Sequence, residues 1–211
     1  MKAGVVRGGT LIALLLVAAV GMALLSVAFA DSSRTAREKV AVVVVGHGTP
    51  PKDFPRDRLR ELGRLHSEVM EAGGKESAPS QLVERKHALE REMRRWKRTP
   101  ENDPYDAAVR EVAASMKRLG GYDIVEVAHN EFSGLDVGEA VDSVISEGAR
   151  RVYVLSVMTI RGGAHSERDI LGKVKEAKRE HPGVRITYAW PYETELLARL
   201  FVEQVNRFQR Q

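Results

Sequence analysis

The 211-residue sequence contains no cysteine, which removes disulfide frameworks, thiolate zinc sites, cysteine nucleophiles and lipoprotein anchoring together. Metal chemistry, if present, falls to His, Asp and Glu. Net charge is also scarce. Lys and Arg number 33 against 29 Asp and Glu, and two of the basic groups, Lys2 and Arg7, lie in the first thirty residues. The remainder is within two charges of neutrality, so no field covers the whole surface and nucleic acid is excluded as a partner. Phosphate-cradling loops of the G-x-x-x-x-G-K-[ST] or G-x-G-x-x-G type are missing, as is the G-x-S-x-G of an α/β-hydrolase. A histidine phosphatase needs Arg before its strand-end His, where this sequence has Gly46. There is no internal repeat. A chain of this length buries roughly 70% of its unfolded surface and needs no staple to fold.

The N-terminal thirty residues are compositionally apart from the rest. Lys2 and Arg7 precede an uncharged run from Leu11 to Ala30, which ends Ala28-Phe29-Ala30 before Asp31-Ser32-Ser33. A basic start, an apolar run and a small-residue cleavage site form a secretory signal pattern, so residues 1–30 are expected to export the chain. The run is also long enough to span a bilayer, so an uncleaved anchor is the alternative and membrane association would then follow. Either way the expected location is periplasmic or otherwise extracytoplasmic.

Residues 31–211 are expected to form a single α/β domain, a parallel four-stranded sheet with helices on both faces. Val40 to Val45 is a β-branched run without polar alternation, as in a strand buried on both faces. Similar runs are Ile124 to Ala128, Val152 to Met158 and Val184 to Trp190. Between them lie amphipathic helices with recognisable ends: Asp103-Pro104 as N-cap and N1 with Gly120-Gly121 as the stop, Asp136 with Glu139 as a capping box, and Ser166 with Asp169 at the same spacing. A last helix carries Leu197, Leu200, Phe201, Val205 and Phe208. Alternation of this kind implies right-handed crossovers. Residues 49–102 break the rhythm and read as a helical insertion, with helices over roughly Arg56 to Glu71 and Ser80 to Arg98. The second helix is strongly basic: Arg85, Lys86, Arg91, Arg94, Arg95, Lys97 and Arg98 face only Glu84, Glu90 and Glu92, a pattern suited to ligand carboxylates or simply to a solvated face.

Ligands of open parallel sheets bind beyond the carboxyl ends of the strands. His47 follows the first strand, His129-Asn130-Glu131 the second and His165 the third, so four metal-competent side chains belong to one edge. Two imidazoles and a carboxylate suit a divalent first-row ion at a site with open positions. His129 is either a further ligand or a loop residue; His66, His87 and His181 carry no such argument and read as solvated.

Three segments then resemble one family. The strand ending Gly46-His47-Gly48-Thr49, the stretch Val125 to Phe132 (VEVAHNEF) and Gly148 to Ile170 (GARRVYVLSVMTIRGGAHSERDI) are similar to the CbiX-type sirohydrochlorin cobaltochelatases, members of the class II chelatases. The resemblance covers residues 40–48 and 104–205 and implies a chelatase-like fold. It also implies that His47, Glu131 and His165 capture a divalent metal (Co, Ni or Fe, with cobalt expected) and accept the pyrrole protons during insertion into sirohydrochlorin or a related tetrapyrrole. No cofactor beyond the substrate metal is implied. A homodimer is, because such chelatases form their cleft between two units. The insertion and His129, where the family usually has an aromatic, depart from the pattern. The competing reading from the same three residues is an exported metal- or tetrapyrrole-binding carrier without turnover.

Overall fold

A computed structural model describes residues 37–210. The expected signal or anchor segment lies outside the described residues. Among the described residues, no helix is long and apolar enough to cross a membrane.

Four strands form one parallel sheet in the order β2-β1-β3-β4: β1 (Lys39–Gly46), β2 (Ile124–His129), β3 (Ala149–Ser156) and β4 (Arg185–Tyr188). The valine run of β1 is central, flanked by β2 and β3, and Ala41 to Val45 are buried on both faces. Alternate residues of β1 therefore serve two cores. Ala41, Val43 and Val45, with Ala128, Val152, Val154 and Ile186, pack under α4 (Val137–Ser146) and α5 (Ile170–Glu180). Val42, Val44 and Val127 pack under Val109 and Ala113 of α3 (Pro104–Gly120). The first core alone buries fifteen residues, most of them at the limit of zero exposure, and apolar burial of this kind is the dominant favourable term in folding.

The caps of α3 and α4 follow the sequence. The Asp103 carboxylate accepts from the Asp106 backbone N–H at 3.0 Å with Pro104 at the first helical position, and Gly121 ends α3 in the left-handed conformation. Asp136 and Glu139 form a reciprocal capping box. The Ser166/Asp169 box does not form. Ser166 is buried and donates to the Met158 carbonyl at 3.1 Å, while Asp169 turns to His165, and residues His165–Asp169 wind as one wide π turn before α5. Such turns insert a residue into a helix and re-aim the side chains around it.

The insertion holds α1 (Arg56–Glu71) and α2 (Ser80–Arg94). Their apolar stripes make a separate small core of Phe54, Leu62, Leu65, Leu89 and Met93, against which Phe132 from the loop after β2 also packs. The final helix, α6 (Thr194–Gln209), forms where its apolar periodicity expects it, yet none of its residues is buried.

Candidate metal centre and adjoining cavity

The order β2-β1-β3 places the loops after those three strands side by side, which is why residues 84 and 118 positions apart in sequence share one edge with His47. One ligating atom from each of His47, Glu131 and His165 lies within 4.8 Å of the other two. The His47 and His165 rings meet edge to face with centroids 4.8 Å apart. All three residues are half-buried.

Backbone pairing carries the loop that bears Glu131. Past the end of β2, the Asn130 N–H donates to the Gly46 carbonyl and the Glu131 N–H to the His47 carbonyl, both at 2.9 Å. Gly48 makes this approach possible. At φ +90° it occupies a region that side chains rarely adopt, and a Cβ there would stand 1.9 Å from the Glu131 carbonyl oxygen.

The imidazoles are oriented through their inner nitrogens. His47 Nδ1 lies 2.7 Å from the Gly48 carbonyl oxygen, which can only accept, so the ring proton sits on Nδ1 and Nε2 keeps its lone pair. His165 Nδ1 lies 2.7 Å from Asp169 Oδ2, and the same reasoning frees its Nε2, which stands 4.0 Å from Glu131 Oε1. The Asn130 side-chain amide also lies 2.8 Å from His165 Nδ1; because Nδ1 cannot donate to Asp169 and accept an amide N–H at once, a ring proton on Nδ1 requires the amide to turn its oxygen toward the ring. A carboxylate behind a ligating imidazole fixes the tautomer and raises its basicity. Asp169 therefore joins the site as a positioning residue. Its signal in the sequence was the i, i+4 spacing to His165, which competed with the capping-box spacing to Ser166.

His129 is placed elsewhere. Its ring is fully buried beneath the edge, 3.6 Å from Asp106 Oδ1, and neither ring nitrogen has a hydrogen-bond partner among the described residues. Burial outweighs the pull of the Asp106 and Asp103 carboxylates and lowers its pKa from 6.5 to about 4, so the ring is neutral. It is a core residue under the loop, apart from the cluster formed by the other two histidines and Glu131.

Beside this cluster opens a cavity of about 960 Å³ between the helical insertion and the sheet edge. Glu131, Asn130 and Asp169 line one side, and Leu59, Leu62 and Met93 of the insertion line the other. His66 and His87 are exposed, as read, but both face this space, with Lys75, Lys86 and Lys173. Lys86 pairs with Glu90 at 2.5 Å and Lys173 with Asp136 at 3.0 Å.

The expected basic helix ends at Arg94, so that Lys97 and Arg98 lie in the loop beyond it, and the basic segment is only partly a free cationic face. Arg94 donates to the carbonyls of Asn130 at 3.0 Å and Ser133 at 3.2 Å. Arg98, nearly buried, pairs with the buried Asp103 at 2.7 Å and donates to the carbonyls of Thr49, Met93 and Phe132. These two guanidiniums clamp the insertion onto the loop that carries Glu131, a role that charge counting along the helix cannot show. A second group of potential ligands, Asp142, Glu180 and His181, sits on the surface, with His181 Nε2 2.7 Å from Asp142 Oδ1.

A profile of the CbiX family matches residues 100–207, just over half of the chain; Glu131 and His165 fall inside that stretch and His47 precedes it. Over 62 residues the chain is 42% identical to a sirohydrochlorin cobaltochelatase of Methanococcus maripaludis, covering 29% of this chain and 42% of that protein. The corresponding enzyme of Methanococcus aeolicus is 36% identical over 62 residues, 29% of this chain and 43% of that one. The chain thus spans under half the length of the curated relatives it matches. Among solved structures, the sirohydrochlorin chelatase SirB of Bacillus subtilis subspecies spizizenii, in complex with cobalt, superposes with a TM-score of 0.40 at 15% identity over 72% of this chain and 43% of that one. A CbiX protein of Marinobacter aquaeolei VT8 gives 0.45 at 12% identity over 82% and 99%.

Proposed function

This chain belongs to the CbiX family, and we propose on that premise that it is a tetrapyrrole metal chelatase, inserting a divalent ion, cobalt first among the candidates, into sirohydrochlorin or a closely related ring. The observation that carries the reading is the convergence of His47, Glu131 and His165 on one point at the margin of a cavity of about 960 Å³. Insertion needs an ion held with open coordination positions, a planar ring brought beside it, and acceptors for the two pyrrole protons released as the ion enters. Nε2 of His47 and Nε2 of His165 offer lone pairs to the ion, and Glu131 completes a facial set that leaves the outer positions for the ring nitrogens. As the ion leaves for the ring, the same imidazoles and the carboxylate are free to take up the pyrrole protons. The metal is substrate here, so weak and reversible capture suits the task better than a closed four-ligand cage.

We further propose that residues 1–30 export the chain, or anchor it outside the cytoplasm, and that two copies pair. Support for export is the basic start, apolar run and Ala28-Phe29-Ala30 alone; N-terminal sequencing of the protein recovered from its host should begin at Asp31 if the segment is removed. The chelatase reading is tested by following the absorbance of sirohydrochlorin on addition of Co²⁺, Ni²⁺ or Fe²⁺ with catalytic amounts of the full chain. Many turnovers per chain are expected. Stoichiometric binding without turnover would overturn the enzyme and leave a carrier.

A further inference from the structure

The helices α3, α4 and α5 each hand the chain to the next strand within a few residues. Their ends therefore gather with the starts of β2, β3 and β4 at the pole opposite the metal centre. β1 begins there too, and its eight residues set the two poles about 26 Å apart at 3.3 Å per residue.

This pole carries the positive charge that the chain as a whole lacks. Lys117 and Arg118 end α3, Lys178 and Arg179 end α5, and Lys39 and Arg185 start β1 and β4; all six are exposed. Arg150, exposed, and Arg151, half-buried, follow the first residue of β3. Five acids stand among these eight bases, and three of them are engaged. Glu38 receives Arg151 and Arg185 at 3.5 and 3.4 Å, Asp142 holds His181, and Asp123 accepts from the Val40 N–H. The other two are Glu147 and Glu180. Among the described residues, Lys117, Arg150, Lys178 and Arg179 have no ion-pair partner. Eight against five leaves an excess of three, whereas residues 31–211 together hold 31 basic against 29 acidic groups, an excess of two. The pole alone accounts for the positive balance of the body.

Carbonyls at a helix end attract cations, which explains the basic last turns of α3 and α5 taken singly. It explains neither Arg150, on a strand, nor Leu119. That side chain is 82% exposed, more than any other large apolar residue among those described, and it projects beside Lys117 and Arg118. An apolar tip within a basic rim suits an anionic bilayer, where the tip enters the headgroup layer and the cations remain at the phosphates. The sequence brings a bilayer to the same pole. Nine steps of chain separate Ala30, the last residue of the uncharged run, from Lys39, and fully extended they reach about 30 Å. A bilayer that holds the run lies within that reach of the strand starts.

We propose that the strand-start pole docks on an anionic phospholipid bilayer, with Leu119 in the headgroup layer and Lys117, Arg118, Arg150, Lys178 and Arg179 on lipid phosphates. The metal centre and its cavity then face away from the membrane. This rests on the anchored form of the export reading above. It is independent of the chelatase chemistry, because no residue of the pole belongs to the metal centre or lines the cavity.

The absence of native cysteine lets single probes be placed. The full chain with Leu119→Cys, or with Arg161→Cys on the exposed loop after β3 as the opposite-pole control, is labelled with an environment-sensitive fluorophore. Each is reconstituted in phosphatidylcholine nanodiscs with and without phosphatidylglycerol. The probe at 119 should shift to the blue and be quenched by spin-labelled lipid only with phosphatidylglycerol, and high salt should reverse both changes. The probe at 161 should stay water-like throughout. Lys117→Gln, Lys178→Gln and Arg179→Gln together, at about fivefold per charge, should lower the ratio of docked to undocked pole about 100-fold, with circular dichroism unchanged. A water-like probe at 119 in anionic discs that hold the chain would overturn docking and leave the anchor standing. A blue shift in both lipids without lipid quenching would show a protein surface over Leu119 and also overturn it, as would equal quenching at 161. A chain that begins at Asp31 in its host and does not float with vesicles would remove the anchor reading and the proposal together.

Discussion

Acid should destabilise this protein through one residue that never touches the candidate metal centre. His129 is wholly buried, with Asp106 Oδ1 3.6 Å away and no partner on either ring nitrogen among the described residues. Burial lowers its pKa from 6.5 to about 4. The sign follows from linkage: the unfolded chain takes up a proton near pH 6.5 and the folded chain near 4, so the stabilising contribution is whole above 6.5 and drains away as pH falls toward 4. At about 1.4 kcal/mol per pH unit, that gap removes about 3 kcal/mol by pH 4. A domain of this size unfolds with a urea slope of about 2 kcal/mol per molar, so the midpoint should fall by roughly 1.5 M beyond the loss from other groups. The assay is urea unfolding of the chelator-treated chain by circular dichroism at pH 7.5, 6, 5 and 4, with His129→Leu in parallel. Leucine removes the titration without orphaning a partner, so the variant should lose less stability between pH 6.5 and 4 by that amount. Parallel curves for the two proteins would refute a neutral, desolvated imidazole at this position.

His47→Ala and His165→Ala should each weaken Co²⁺ binding by isothermal titration and cut insertion by two or more orders of magnitude, with the melting temperature of the metal-free chain little changed; wild-type affinity in both would sink the assignment. Asp169→Asn keeps the shape but not the charge behind His165, and a 10- to 100-fold loss of metal affinity is expected. Gly48→Ala puts a methyl group into the Glu131 carbonyl, so the loop must move; metal binding should be lost and stability lowered by roughly 1–3 kcal/mol, whereas an unaffected variant would show that the loop contact is not needed. Arg98→Met strands the buried Asp103 carboxylate, and chemical denaturation should report a loss of about 3–5 kcal/mol, against well under 1 kcal/mol for the exposed Arg95→Met.

Much of the architecture was legible along the chain because it is local. A β-branched run can satisfy itself only between two helical layers, and Asp103-Pro104, Asp136 with Glu139, and Gly121 mark helix ends through bonds that span four residues or fewer. The candidate site was legible for a related reason: in a parallel sheet every strand delivers its next residue to the same edge, so His47, Glu131 and His165 needed only the strand order to meet. What the chain alone did not decide is every case in which two local patterns competed or a distant partner chose. Asp169 satisfied a capping-box spacing and an i, i+4 contact to His165 equally well in sequence, and only the packed position of Ser166 against Met158 selected the second. In sequence His129 is open to two readings, a further ligand beside Glu131 or a loop residue, and the structure makes it neither: a strand's side chains alternate between faces and its ring falls inward, where desolvation keeps it neutral. Arg94 and Arg98 count as surface charge until carbonyls from residues 130 to 133 arrive to receive them. The apolar stripe of α6 predicts a helix from sequence alone, yet burial is a relation between two surfaces, and among the described residues none covers that stripe.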